Sequence, residues 1–335
     1  MILAGAVAKG AYEAGALRVI AERGIPVRRI VAASSGALNG VAYAAGVRAR
    51  REALAAGELV ELWQHRSRWY DVFSLSLGDL FGGTGISDQS RLLTILRDSI
   101  QPSSHADPAP VDLHIVVAPV NGHDGTIGDD TATTYERVLG FDGMYFDRRE
   151  LLEHVFEAAV ATSAFPGVFA PATVMAHNVG PCFDGGIVNN NPIDWALDNG
   201  QDDAIDTVVV VAPNPVRLTE PVGPLRGQKL ISQLVEMLIN ERLYRDLRKA
   251  KSINAALGRL AELARRKGWS DDDVEDIKAQ IGWQGKRVIN VIQIRPHVPL
   301  TGDAFSGFFD HADIERYIGV GIQRATEELD RAGIR

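Results

Sequence analysis

The first forty residues run twice through the same grammar, a short apolar stretch, a turn of small residues and then a helical segment, and this constrains the fold more than any other feature. Ile2-Leu3-Ala4 reads as a short buried strand and Gly5-Ala6-Val7-Ala8-Lys9-Gly10 as a tight turn. The helix that follows, from about Ala11 to Arg23, ends at Gly24, the position past a helix where glycine is favoured. Val27 to Ala32 is a second strand, and the helix after Ser34 is expected to reach about Gly46. A β-α-β unit implies a parallel pair with a right-handed crossover. Both turns then lie at the C-terminal ends of their strands, where open α/β sheets hold ligands.

The remainder continues the α/β theme. Glu58 to Ser103 reads as helical, with Trp63, Trp69, Tyr70, Phe73 and Phe81 as core or pocket lining. Asp112 to Ala118 is a third strand, Asn121 to Thr133 a polar loop, and Glu150 to Thr162 a helix. Pro166, Gly167 and Pro171 force an extended or turning path after it. Cys182 to Gly186 forms a sharp turn. Asn191 then suits an N-cap and Pro192 a first helical position, for a helix stopping at Gly200. The unbroken apolar run in Asp206 to Ala212 predicts a strand buried on both faces. Residues 227–281 read as two or three helices, one capped by Ser270, and Val288 to Ile294 and Asp313 to Ala332 as a last strand and a closing helix. With no repeat or linker, one domain over 1–335 with a helical insertion at 227–281 is the simplest organisation.

Composition narrows the function classes. At 46% hydrophobic and 23% charged residues, the 335-residue chain matches an ordinary globular protein. Its formal charge of −8 argues against nucleic acid as the main partner. The single cysteine, Cys182, cannot form an internal disulfide. The eight histidines fall in no ligand spacing, so no metal or cofactor is expected. There is neither a secretion-signal pattern nor an apolar run long enough to span a bilayer, so a cytoplasmic setting is the expectation.

The chemistry begins at Ile30 to Gly40. A serine on a tight strand-to-helix turn, with small residues two positions either side, is the pattern of a nucleophile elbow; here it reads Ala32-x-Ser34-x-Gly36. Ser35, flanked by Ala33 and Ala37, competes if the register slips by one. A serine nucleophile needs a base and donors for the developing oxyanion. The Gly5–Gly10 turn offers backbone N–H groups at a helix start; the alternatives are a plain glycine turn or a phosphate loop, which it fits poorly for want of G-x-G and G-K-[ST] signatures. For the base, Asp184 stands before Gly185 and Gly186, which bend the backbone and leave room round the carboxylate. His154 or His177 would be the conventional choice.

In this order, the glycine turn with Lys9-Gly10, the elbow serine and Asp184-Gly185-Gly186 followed by Asn189-Asn190-Asn191-Pro192 resemble the patatin-like phospholipase family. That family has a G-G-G-x-[KR]-G oxyanion loop, a G-x-S-x-G elbow and a D-G-[GA] aspartate. Ala161 to Pro166 and Val168 to Pro171 look like its A-S-x-A-x-P-x-x-F-x-P stretch, and the resemblance covers about residues 2–213. It implies a three-layer α/β/α fold with a mostly parallel central sheet. It also implies Ser34 as nucleophile and Asp184 as base of a dyad without histidine. Gly5, Ala6, Val7, Ala8, Lys9 and Gly10 become the oxyanion loop, with Ala32, Gly36, Gly185 and Gly186 as structural support. The implied reaction is hydrolysis of lipid acyl esters through an acyl-serine. Ala6 and Val7 stand where the family has glycines, and Ala32 where the elbow has one. A catalytically weak member that binds lipid or a protein partner is therefore the alternative, and a nucleotide-binding α/β module the third. The basic residues of the 227–281 segment, Arg242, Arg245, Arg248, Lys249, Lys251, Arg265, Arg266 and Lys267, form a solvated helix face or a contact with an anionic lipid surface.

Overall fold

The structure, a computed structural model, describes residues 1–75, 87–127, 130–166, 168–197, 205–217, 228–303 and 305–334. Phe81, Gly167, Gly200, residue 227 and the side chain of Trp69, all named above, lie outside the described residues.

Among the described residues the central sheet has eight strands: β1 (Ile2–Leu3), β2 (Arg29–Ala32), β3 (Asp112–Pro119), β4 (Arg137–Phe141), β5 (Ala172–Val174), β6 (Gly180–Asp184), β7 (Thr207–Val211) and β8 (Asn290–Ile294). Their order is β8-β7-β1-β2-β3-β6-β5, with β4 also on β3. From β8 to β3 every pair is parallel, and β4, β6 and β5 add an antiparallel margin. The expected β-α-β pairing is present, with Ile2 beside Val31 and Leu3 beside Ala32.

Side chains alternate across the sheet, as strand geometry requires. Leu3, Ile30, Ala32, Val209 and Val211 join a large core with helices α1 (Ala11–Glu22), α2 (Ser35–Arg48), α3 (Glu52–Arg66), α4 (Ser90–Ser99) and α5 (Arg149–Thr162). Ile2, Val31, Val208 and Val210 face the other way, onto Leu243, Leu247 and Ala250 of α6 (Gln228–Lys267), spaced to lie on one helix face. The result is three layers round a mostly parallel sheet. The uniformly buried Val208–Val211 run is covered on both faces, as its composition implies. A last pair of helices, α7 (Asp271–Gln280) and α8 (His311–Arg331), follows; Ser270 caps α7 through a capping box with Asp273. Helix α8 crosses α1 at a close approach, where a Cβ on Gly321 would lie 2.0 Å from the Tyr12 carbonyl.

Several local expectations are corrected. The stretch predicted as a loop over Asn121–Thr133 holds a two-stranded hairpin, His123–Ile127 with Asp130–Thr134. The helical reading of Glu58–Ser103 is interrupted by short strands at Ser74–Leu75 and Ser87–Asp88. Asn191 does not cap a helix: its side-chain atoms have no hydrogen-bond partner, its own N–H donates to Asn189 Oδ1, and the next helix begins at Ile193. Several of the basic residues on α6 are paired, Arg242 with Glu136 and Asp246, Arg245 with Glu241 and Lys249 with Asp194, which favours the solvated-face reading. Among the described residues no helix is long and apolar enough to cross a membrane.

Candidate active site

Ser34 leaves the C-terminal end of β2 with φ +53° and ψ −136°, a conformation that costs a non-glycine residue of order 1–3 kcal/mol and is held only where the surroundings impose it. The surroundings here are tight. A Cβ on Gly36 would sit 2.4 Å from the Leu3 carbonyl, so the start of α2 reaches β1 only with glycine at that position. Ala32, the small residue on the other side, is fully buried in β2. The turn thrusts the Ser34 side chain away from the strand and leaves it 6% exposed.

Asp184 ends β6, one strand beyond β3, and meets the serine there. Ser34 Oγ donates to Asp184 Oδ2 at 2.6 Å, and the Gly186 N–H donates to Asp184 Oδ1 at 2.7 Å. Burial drives the Asp184 carboxyl up from its ordinary 3.8 to about 7, against the opposing pull of the Ser34 and Gly186 hydrogen bonds. Gly185 is required by contact: a Cβ there would lie 2.0 Å from the Val116 carbonyl of β3. Neither histidine approaches this pair in the hydrogen-bond pattern. His154 lies 3.8 Å from Glu157, and His177 packs edge-on against Phe141.

Thr162, the last residue of α5, ties the two turns together. Its hydroxyl accepts from the Ser34 N–H at 3.0 Å and the Gly185 N–H at 3.2 Å, and donates to the Val116 carbonyl at 2.5 Å. Nothing in the sequence around Thr162 marks this role, although it stands inside the Ala161–Pro166 stretch. Asn190 is a second such residue: its Oδ1 accepts from the Gly5 N–H at 2.8 Å and its Nδ2 donates to the Gly5 carbonyl at 2.9 Å.

The Gly5–Gly10 turn packs directly on the serine. A Cβ on Gly5 would fall 2.1 Å from Ser34 Cβ. The Ala6 N–H donates to Ser35 Oγ at 3.1 Å, so Ser35 supports the loop, while Ser34 carries the link to Asp184. Val7 takes φ +53° and opens a short helix, Val7–Gly10, in which Ala8, Lys9 and Gly10 are buried. The first N–H groups of a helix lack intrahelical partners. The Lys9 N–H donates to the Ala6 carbonyl, whereas those of Val7 and Ala8 donate to no group among the described residues.

Beside this cluster lies a cavity of about 110 Å³ lined by Val7, Ser34 and Asp184 at one end and by Leu38, Trp63, Phe165 and Phe305 along its walls. Of the aromatics singled out above, Trp63 lines it, held by a hydrogen bond from Nε1 to Asn39 Oδ1 at 2.8 Å. Phe73 stands behind the wall, stacked on Phe169 at 5.1 Å and edge-on to Phe308 at 5.3 Å. Phe305 and Phe308 come from the segment before α8. Among the described residues no group of three or more His, Cys, Asp or Glu side chains is arranged to hold a metal ion.

A crystal structure of VipD from Legionella pneumophila is similar to this chain at 11% identity, with 98% of this chain and 66% of VipD covered and a TM-score of 0.42. The chain thus spans just under two thirds of VipD's length. No curated protein matches it. The family described as Patatin-like phospholipase matches residues 1–197, more than half of the 335, including both turns, Thr162, Asp184 and Asn190. On that match, the chain belongs to the patatin-like phospholipase family.

Proposed function

We propose that the protein is a serine hydrolase of lipid acyl esters, of phospholipase A, lysophospholipase or esterase type, in which Ser34 is the nucleophile and Asp184 the base. Family membership supports lipid acyl hydrolysis in general. The assignment of residues rests on one observation above the others: the 2.6 Å hydrogen bond from a strained elbow serine to a buried carboxyl at the end of an apolar cavity.

In this reading the ester carbonyl carbon is attacked by Ser34 Oγ as its proton passes to Asp184 Oδ2. The carbonyl oxygen becomes an oxyanion facing the Gly5–Gly10 loop. With the Gly5 and Ala6 amides engaged by Asn190 and Ser35, the Val7 and Ala8 amides are its donors. Collapse breaks the bond to the alcohol, which takes the proton back from Asp184 and leaves acyl-Ser34. A water then gives its proton to Asp184, attacks the acyl carbon, and the released Ser34 recovers that proton as the fatty acid departs. Asp184 must be ionised to begin either half, so its elevated pKa places the rising limb of activity near pH 7.

Ser34→Ala and Asp184→Asn are each expected to abolish ester turnover while circular dichroism and melting show a folded protein. Turnover that survives in folded Ser34→Ala refutes the assignment. Lipid binding without turnover is the second reading, favoured by Val7, a β-branched residue at φ +53° whose side chain lines the cavity. Binding that persists in Ser34→Ala, with no wild-type turnover on any ester, would support it.

A further inference from the structure

The cavity at Ser34 does not stop at its own walls. On α2, Ser35, Leu38, Asn39 and Ala42 line it; Ala42, Ala45 and Gly46 line a second pocket of about 320 Å³. These positions follow one another at intervals of three and one, which is a single stripe along one helix face. From Ser35 to Gly46 the stripe runs about 16 Å, at 1.5 Å per residue, the reach of an extended chain of roughly a dozen carbons. Leu59, Leu62 and Arg66 of α3 also line both pockets, so the two share walls on both sides. The second pocket has an apolar floor, from Ala45, Ala55 and Leu59, and a charged rim that includes Arg51 and Glu61. Arg66 stands at the junction, 3.6 Å from Asp98 across to α4, with both side chains about half exposed. An ion pair so exposed holds its partners weakly, so displacing the Arg66 side chain costs a long chain a few-fold in affinity without closing the passage.

We propose that the two pockets are one acyl channel along α2, selecting long unbranched acyl chains over short ones, with Ala42 and Arg66 at the junction setting the chain length. The carbonyl end lies at Ser34 and the methyl end passes Arg66 onto the floor of the second pocket, which no shorter chain reaches. The direction of the chain rests on reading Ser34 as the acyl-accepting residue; the existence of the channel does not.

The test separates the two by measuring binding in Ser34→Ala protein, where no turnover is needed. A fluorescent long-chain fatty acid is displaced by octanoate, laurate, myristate and palmitate. Affinity is expected to rise with length, by up to about fourfold per methylene, the equivalent of about 0.8 kcal/mol, and to level off near the chain that fills both pockets. Ala42→Leu, which narrows the junction, leaves octanoate binding within twofold and removes the gain from laurate onward. Arg66→Ala, at a half-exposed site where folding is not at stake, raises palmitate affinity several-fold and leaves octanoate unchanged. Affinity that levels off at octanoate, or Arg66→Ala affinities unchanged across the whole series, overturns the proposal. If binding follows the expected pattern while no ester of any length is hydrolysed by the wild-type protein, the channel stands and the serine assignment falls.

Discussion

Asp184→Asn gives a quantitative test of the environment on which the dyad depends. Burial raises the Asp184 carboxyl from 3.8 to about 7. The folded protein therefore holds a proton that the unfolded chain releases between those two values. Stability contributed by this group is fully present below pH 3.8, declines by about 1.4 kcal/mol per pH unit as the pH rises, and is lost above about 7. Over roughly three units the decline amounts to about 4 kcal/mol. Asparagine at 184 keeps an acceptor for the Gly186 N–H and has no proton to lose, so it lacks this slope. Urea unfolding of wild type and variant from pH 4 to pH 8.5 isolates the effect, because every other titrating group is common to both. Asp184→Asn is expected to gain on the wild type with rising pH, by up to about 4 kcal/mol at pH 8, while losing turnover. Parallel pH profiles for the two proteins would refute the claim that the site holds a buried, ionisation-resistant carboxyl.

Thr162→Val leaves the buried Ser34 and Gly185 N–H groups without an acceptor, which should cost about 3 kcal/mol in urea unfolding and lower kcat more than KM; Thr162→Ser, which keeps the hydroxyl, should restore most of both. Gly5→Ala places a Cβ against Ser34 Cβ and should abolish turnover, read as kcat/KM on a soluble ester, more severely than Ala8→Gly at the neighbouring loop position.

Much of this site was legible in the sequence because its key parts are local turns. The Gly5–Gly10 turn, the Ser34 elbow and the Asp184-Gly185-Gly186 turn each sit on a few adjacent residues, and one glycine in each, Gly5, Gly36 and Gly185, is dictated by a contact of 2.0–2.4 Å that a Cβ would make. Parallel pairing of β1 and β2 followed from the short helix between them. The parts that no local pattern displays depend on distant partners. Thr162 is an ordinary helix-ending threonine until the fold brings Ser34, Gly185 and Val116 to its hydroxyl. Asn190 engages Gly5 across 185 positions of sequence. Phe305 and Phe308 wall a cavity that they share with Trp63, more than 200 positions earlier. The hairpin over His123–Thr134 is not visible in the sequence because its polar, glycine-containing strands carry no apolar alternation. Asn191 departs from expectation for a different reason. The Asn-Pro pair suits a helix start, but the backbone there is bound to Asn189, and the asparagine side chain is buried instead of capping.

The central claim is that Ser34 is an activated nucleophile, and labelling with a fluorophosphonate followed by peptide mass spectrometry tests it most directly. The expected result is a single adduct on Ser34, faster to form as the pH rises through about 7 and absent from Ser34→Ala. A folded wild-type protein that takes up no label at Ser34, or takes it up on Ser35 instead, would contradict the account.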